Sequence, residues 1–289
     1  MDFSPEGLKI MPAHLVLKGV SLFLAGSISG WPTGAPEIGR EPEPVRSAIP
    51  CYSAPCVFPE TPPALRNTGL PSWGDPTLLP GSEGKKVLVV GDSWARDAAT
   101  GIATVLGRKG HVKDASALAC GIRNPINPMP NRHCPKWETE WPALMDKERP
   151  EAVLMSVQWD AGEQQIDPDG KPVSIRDDEA RKRFVTHLDR AIRILTRRGT
   201  PVYVFGSTFA HVPGSVAVLL SGILLEFSKK YPGVHYLDVY HQLCNDLNQC
   251  PKVISGFPVY GTDVHTSKET KVRLGNWILN SMFHHRRPA

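Results

Sequence analysis

The sequence predicts an α/β fold: a parallel β-sheet with helices on both faces. Three observations carry the prediction. The strand-like runs are short and apolar throughout, they alternate with longer helical segments, and Gly or Pro punctuates most of the junctions. Val87–Val90 is a continuous apolar run, as in a strand covered on both faces. Gly91-Asp92-Ser93 ends it, and residues 95–107 read as a helix closed by Gly107 and Gly110. Residues 152–157 form a second buried strand. Residues 177–198 form a long amphipathic helix, with Phe184, Leu188, Ile192 and Leu195 at helical spacing, broken by Gly199-Thr200-Pro201. A third strand at 202–205, a helix at 216–230 and a fourth strand at 234–239 follow. The last helix, 267–283, buries Val272, Leu274, Trp277, Ile278 and Met282. In such sheets ligands bind beyond the carboxyl ends of the strands, and Ser93 stands just past the first of them.

Composition narrows the function classes. Of 289 residues, 41% are hydrophobic and 21% charged, which is ordinary globular chemistry. A formal net charge of +4 is too small an excess to argue for nucleic acid. Six cysteines fall in three close pairs, Cys51 with Cys56, Cys120 with Cys134 and Cys244 with Cys250. This suits short-range disulfides in an oxidising compartment. No pair has the Cys-x-x-Cys spacing of a structural zinc site, and the scattered histidines His187, His211, His235 and His241 share no ligand spacing, so no metal is expected.

The chain divides into three parts. Residues 1–30 hold a short apolar stretch interrupted by Lys18. It suits a signal peptide or a weak membrane anchor, with an amphipathic helix docked on the domain as the alternative. Residues 31–84 are dense in Pro and Gly and read as a linker or extended wrap. Residues 85–289 form the folded domain. An exported protein, periplasmic or extracellular, is therefore expected.

Two segments carry chemistry. A serine on a strand-to-helix turn projects its hydroxyl above the sheet edge, and the helix N-terminus favours a developing oxyanion there. The competing reading is an ordinary helix cap, for which Asp92 and Ser93 are both suitable. Far along the chain, Tyr260-Gly261-Thr262-Asp263-Val264-His265-Thr266-Ser267 precedes the last helix. His265 is the candidate base for Ser93, with Asp263 as the candidate partner of its ring. Here the competing reading is an N-capping loop built on Thr266 or Ser267. Arg96 reads as one end of a surface salt bridge. Asp160 and Asp263 as the paired acids of a glycosidase draw no independent support from their surroundings.

Val89-Val90-Gly91-Asp92-Ser93 resembles the first block of the SGNH (GDSL-like) hydrolase superfamily, and Asp263-Val264-His265 resembles its last. Trp94-Ala95-Arg96-Asp97 is similar to the continuation of that block in polysaccharide O-acetyltransferases. The resemblance implies a flavodoxin-like three-layer α/β/α sandwich with Ser93 as nucleophile, and it needs no cofactor. It also implies an oxyanion hole built from the N–H groups of Ser93 and Gly121 and a third donor; Gly121 as a turn glycine beside a disulfide is the alternative. Where the superfamily carries a Gly-x-Asn-Asp block, this chain ends its second strand on Gln158-Trp159-Asp160. Trp159 replaces the asparagine, so Trp159 or Gln158 is the expected donor; Trp159 as core packing is the alternative. Exported SGNH domains associated with membrane acyltransferases for cell-surface sugars look similar at this point. Asp92, Trp94 and Asp160, which flank these groups, are read as substrate contacts. The last block departs from the superfamily, because its aspartate stands two residues before the histidine instead of three; a Ser-His dyad with His265 held by a backbone carbonyl is the alternative to Asp263.

The function implied is an esterase acting on O-acyl, above all O-acetyl, groups of a cell-surface or extracellular glycan. Alternatives are an O-acetyltransferase with the same triad, with a membrane acyl-donor protein as partner, and a non-catalytic carbohydrate-binding relative.

Overall fold

The apolar runs become the strands of one sheet. In the computed structural model β1 is Lys86–Gly91, β2 His111–Ser116, β3 Ala152–Ser156, β4 Val202–Phe205 and β5 Val234–Leu237. They lie in the order β2-β1-β3-β4-β5, and every neighbouring pair is parallel. That is the flavodoxin-like strand order. The structure describes residues 81–123, 134–161, 172–206, 214–243, 257–261 and 265–284, with the short pieces 49–50, 55–56, 165–166 and 253–254. All of these belong to one compact unit, 47–289. The segment 1–30, most of 31–84, Cys51, Cys244, Cys250 and Asp263 lie outside the described residues, as does the side chain of Cys56.

The helices are α1 Ser93–Leu106, α2 Trp137–Glu148, α3 Gln158–Ala161, α4 Asp178–Thr196, α5 Gly214–Lys230, α6 Val239–Leu243 and α7 Lys268–His284. Successive strand residues point to opposite faces, so each strand feeds two cores. Leu88, Val90, Val153 and Met155 pack with α2, α4 and α5 on one side. Val87, Val89, Ala152 and Leu154 pack with α1 and α7 on the other. The helical spacing in α4 behaves as predicted: Phe184, Leu188, Ile192 and Leu195 are fully buried. Each such side chain contributes about 1.5–3 kcal/mol relative to leaving it in water.

Local sequence sets the element ends. Asp177 caps α4, its carboxylate accepting from the Ala180 N–H at 2.9 Å. Ser267 caps α7 by accepting from the Thr270 N–H at 3.1 Å. Ser267 is thus the N-cap of α7, as the capping reading of that segment has it. Two elements carry little sequence signal. β2 is an edge strand, exposed or half-buried along its length, so it lacks a continuous apolar run. α2 contains Pro142, and its buried face is the spaced set Trp137, Trp141 and Met145. One boundary differs from the reading above. The second strand stops at Ser156, and Trp159 and Asp160 sit on the helical turn α3 instead of the strand end.

α1 and α7 touch backbone to backbone. A Cβ on Gly101 would lie 1.8 Å from the Lys271 carbonyl oxygen, and one on Gly275 would lie 2.2 Å from the Gly101 carbonyl carbon. Only glycine at both positions permits this spacing. Gly101→Ala is expected to destabilise the fold by about 1–3 kcal/mol, the usual cost of overpacking. Urea unfolding against the parent protein measures it.

Candidate active site

The register of the sheet builds the site. Gly91 pairs with Ser116 on one side and with Ser156 on the other, so β1, β2 and β3 end level. The three following loops start at one edge: the turn into α1, the stretch 117–123, and Val157 leading into α3. Gly91 itself has φ +115°, and an added Cβ would lie 1.9 Å from the Ser156 carbonyl oxygen. Glycine is required there on both counts, and the turn it permits puts Asp92 and Ser93 above the sheet.

Asp92 rather than Ser93 is the helix cap. Its Oδ1 accepts from the N–H groups of Trp94 and Ala95 at 3.0 and 3.4 Å. Its Oδ2 accepts from the Trp159 N–H at 2.7 Å. Ser93 is the first residue of α1 and is half-buried, open on one side to solvent. The cap thus falls to Asp92 and leaves Ser93 as the candidate nucleophile, so the two readings of the tripeptide do not compete.

A second carboxylate repeats the pattern. Asp160 is completely buried, and its two oxygens accept from the N–H groups of Ile122 and Arg123 at 2.9 and 2.8 Å. Gly121 lies flat against that carboxylate, where a Cβ would come within 2.3 Å of Oδ1. Burial pushes the Asp160 carboxyl up to about 6, although the Arg123 and Ile122 N–H groups pull it back. Burial also raises Asp92, against the pull of the Trp159, Trp94 and Ala95 N–H groups. Both side chains bond the protein's own backbone and have almost no exposed surface. Each therefore ties together the loops at the sheet edge. Trp94 is 4% exposed and packs in the core.

Cys120 and Cys134 form the expected disulfide, with Cα atoms 5.4 Å apart, directly before Gly121. The Trp137 indole N–H donates to the Ile122 carbonyl at 3.0 Å, and His187 Nδ1 also lies 3.0 Å from that oxygen. The candidate oxyanion loop is therefore fixed from below by a disulfide, an indole, an imidazole and a carboxylate. Gln158 is buried and Trp159 half-buried in the turn that abuts it.

His265 arrives from α7. The imidazole stands 6.2 Å, centroid to centroid, from the Trp94 ring, next to Ser93 in the chain. The next residue, Thr266, donates from its N–H and its hydroxyl to Asp97 Oδ2, both at 2.8 Å. Asp97 is 4% exposed and lies one helical turn beyond Ser93, on the same face of α1. Lys271 pairs with its other oxygen at 2.9 Å. The structure thus brings the two candidate catalytic segments to one helix terminus. Sequence reasoning did not single out Asp97; its available signal was an acid set among Ala95, Ala98 and Ala99. Arg96 points elsewhere, donating to the Ser116 carbonyl at 3.3 Å with its Nε 4.0 Å from Asp114, as a surface ion pair should.

Comparison with known proteins follows the same lines. Residues 55–223 match the family model described as "SGNH domain (fused to AT3 domains)". The match begins inside the stretch read from sequence as a linker and stops before His265. No curated protein sequence matches the chain. Among solved structures, a lipase/acylhydrolase from Enterococcus faecalis is 14% identical with a TM-score of 0.44, over 71% of this chain and 98% of that one. A carbohydrate acetylesterase from Sinorhizobium meliloti is 15% identical with a TM-score of 0.42, over 68% of this chain and 97% of that one. With a family match over more than half its length, this chain belongs to the SGNH domains of the kind fused to AT3 domains, and is an esterase- or acyltransferase-type enzyme.

Proposed function

We propose that this protein cleaves O-acetyl esters of a cell-surface or extracellular glycan through Ser93 and His265. The observation that carries the reading is the Asp97–Thr266 contact, since it ties the histidine segment to the helix that begins with Ser93. His265 takes the Ser93 hydroxyl proton as Oγ attacks the ester carbonyl carbon. The carbonyl oxygen becomes an oxyanion, held by the N–H groups of Ser93 and Gly121 and by a third donor from Trp159 or Gln158. Collapse of that intermediate breaks the bond to the sugar oxygen, which leaves with the proton returned by His265. Water, deprotonated by His265, then releases acetate from Ser93. Asp263 remains the candidate partner of the imidazole. The carbohydrate acetylesterase from Sinorhizobium meliloti acts in the same class of chemistry, and the reading draws its glycan substrate from the implied likeness to exported relatives.

The family description favours a second reading. An SGNH domain that works with an AT3 domain would receive an acyl group from a membrane donor and pass it to a sugar hydroxyl. The Ser93 acyl-enzyme is common to both readings, and only the acceptor differs. Export from the cytoplasm fits either, because the acylated glycan lies outside the membrane. Acetate release measured against acetyl transfer to oligosaccharides separates them.

Ser93→Ala and His265→Ala are each expected to abolish hydrolysis of 4-nitrophenyl acetate, and Ser93→Ala to abolish labelling by a fluorophosphonate probe. Wild-type rates in either variant would reject the assignment. Gly121→Ala places a methyl where the Asp160 carboxylate stands. It is expected to shift the donor N–H and lower kcat by about 10²–10³-fold, as loss of one oxyanion donor does. Steady-state kinetics with the same ester measures this.

A further inference from the structure

We propose that Asp97 is a positioning residue for catalysis: it latches the His265 segment to the nucleophile helix through Thr266. The proposal rests on the reading of Ser93 and His265 given above and adds a group that the triad does not contain.

The geometry is specific. One oxygen of Asp97 accepts two hydrogen bonds from a single residue, the main-chain N–H and the side-chain hydroxyl of Thr266. The other oxygen pairs with Lys271 at the first turn of α7. The Asp97–Thr266 contact is internal, with Asp97 at 4% and Thr266 at 3% exposure. Bonds to an ionised acceptor in such a place are short and strong. Lys271 pairs with the same carboxylate from α7, a second tie between the two helices.

The latch acts at the residue directly after the base, and it acts from the helix that carries the nucleophile. Ser93 and Asp97 are separated by one rigid turn of α1. Thr266 and His265 are separated by one peptide unit. The same stretch is tied a second time, because the Gly261 N–H donates to the His265 carbonyl at 2.8 Å and Tyr260 bridges Thr266. The backbone directly after the imidazole is therefore held by Asp97 and by the 260–261 stretch. Asp97 touches neither the ring nor the ester. Its effect is to fix where the ring stands relative to Ser93 Oγ, and a misplacement of about 1 Å in such a pair can cost about 10²-fold in rate.

A carboxamide at this position places an N–H₂ group against donors, and valine at 266 keeps the shape of threonine while removing the hydroxyl donor. The test uses the full chain with 4-nitrophenyl acetate, a thermal melt for each variant and the fluorophosphonate probe. Asp97→Asn should lower kcat by about 100-fold with KM little changed. Its labelling rate should fall in parallel, while the folded fraction at the assay temperature stays at the wild-type level. Thr266→Val should move kcat in the same direction, and Thr266→Ser, which restores the hydroxyl, should recover the wild-type rate. The double variant Asp97→Asn/Thr266→Val should be no slower than Asp97→Asn alone, since both break one contact. If Asp97→Asn does not fold, the serine and valine pair at 266 decides. Equal, wild-type kcat in Thr266→Val and Thr266→Ser overturns the latch, as does a kcat loss that only follows the folded fraction. If Ser93→Ala hydrolyses at the wild-type rate, the active-site reading falls and the latch with it. If Ser93→Ala is inactive while Asp97→Asn and Thr266→Val turn over normally, the latch alone falls.

Discussion

The close crossing of α1 and α7 is the constraint on which the site depends. Two glycines, Gly101 and Gly275, let the helix backbones meet where any side chain would hold them apart. α1 carries Ser93 at its first residue, and α7 is entered through His265 and Thr266. The two segments are about 170 residues apart in sequence. Without the crossing, the chain between them would leave the imidazole no fixed place. The sheet supports this arrangement from beneath: Leu274 and Ile278 of α7 and Ala98 and Ile102 of α1 share one core with Val87 and Val89. The Tyr203 hydroxyl adds a tie from β4, donating to the Met282 carbonyl at 2.7 Å.

Buried carboxylates set the rest of the site. Asp92 joins the nucleophile turn to α3, Asp160 joins α3 to the loop at 121–123, and Asp97 joins α1 to the histidine segment. Each accepts from main-chain N–H groups that loops would otherwise leave unpaired inside the protein. The arrangement has an electrostatic cost. Burial raises the carboxyl groups of Asp92 and Asp160 above the usual range, and for Asp160 the nearby Asp92 adds to the rise. Folding therefore favours the protonated form of Asp160. The stability linked to this group is full below the ordinary carboxylate range and is lost as pH rises through about 6. Holding the loop at 121–123 and the turn at Ser93 in register is set against that cost.

The site combines rigid and irregular backbone. Its candidate groups sit at helix starts and on loops, as is common where a stiff sheet supports reactive residues. The rigidity is supplied locally: a disulfide before Gly121, an indole N–H on Ile122, and a glycine at 91 that meets the carbonyl of Ser156. Such a frame can serve hydrolysis or acyl transfer without change, because both pass through the same oxyanion.

By itself the sequence determined the fold class, because strands buried on both faces must be continuously apolar and α4 must be apolar every third or fourth residue. It also marked Ser93 and His265, since a serine after a strand and a histidine before the last helix are local patterns. It was silent on β2, an exposed edge strand, and on α2, whose face is built from widely spaced tryptophans. Asp92 and Asp160 looked like substrate contacts, as acids beside a reactive group do when burial is unknown. Only the tertiary structure decided that their oxygens face main-chain N–H groups, and that Asp97 meets Thr266 across 169 residues. Periodicity records which side chains leave water. It holds no record of which buried polar atoms find one another, because those partners are chosen by how separate elements pack.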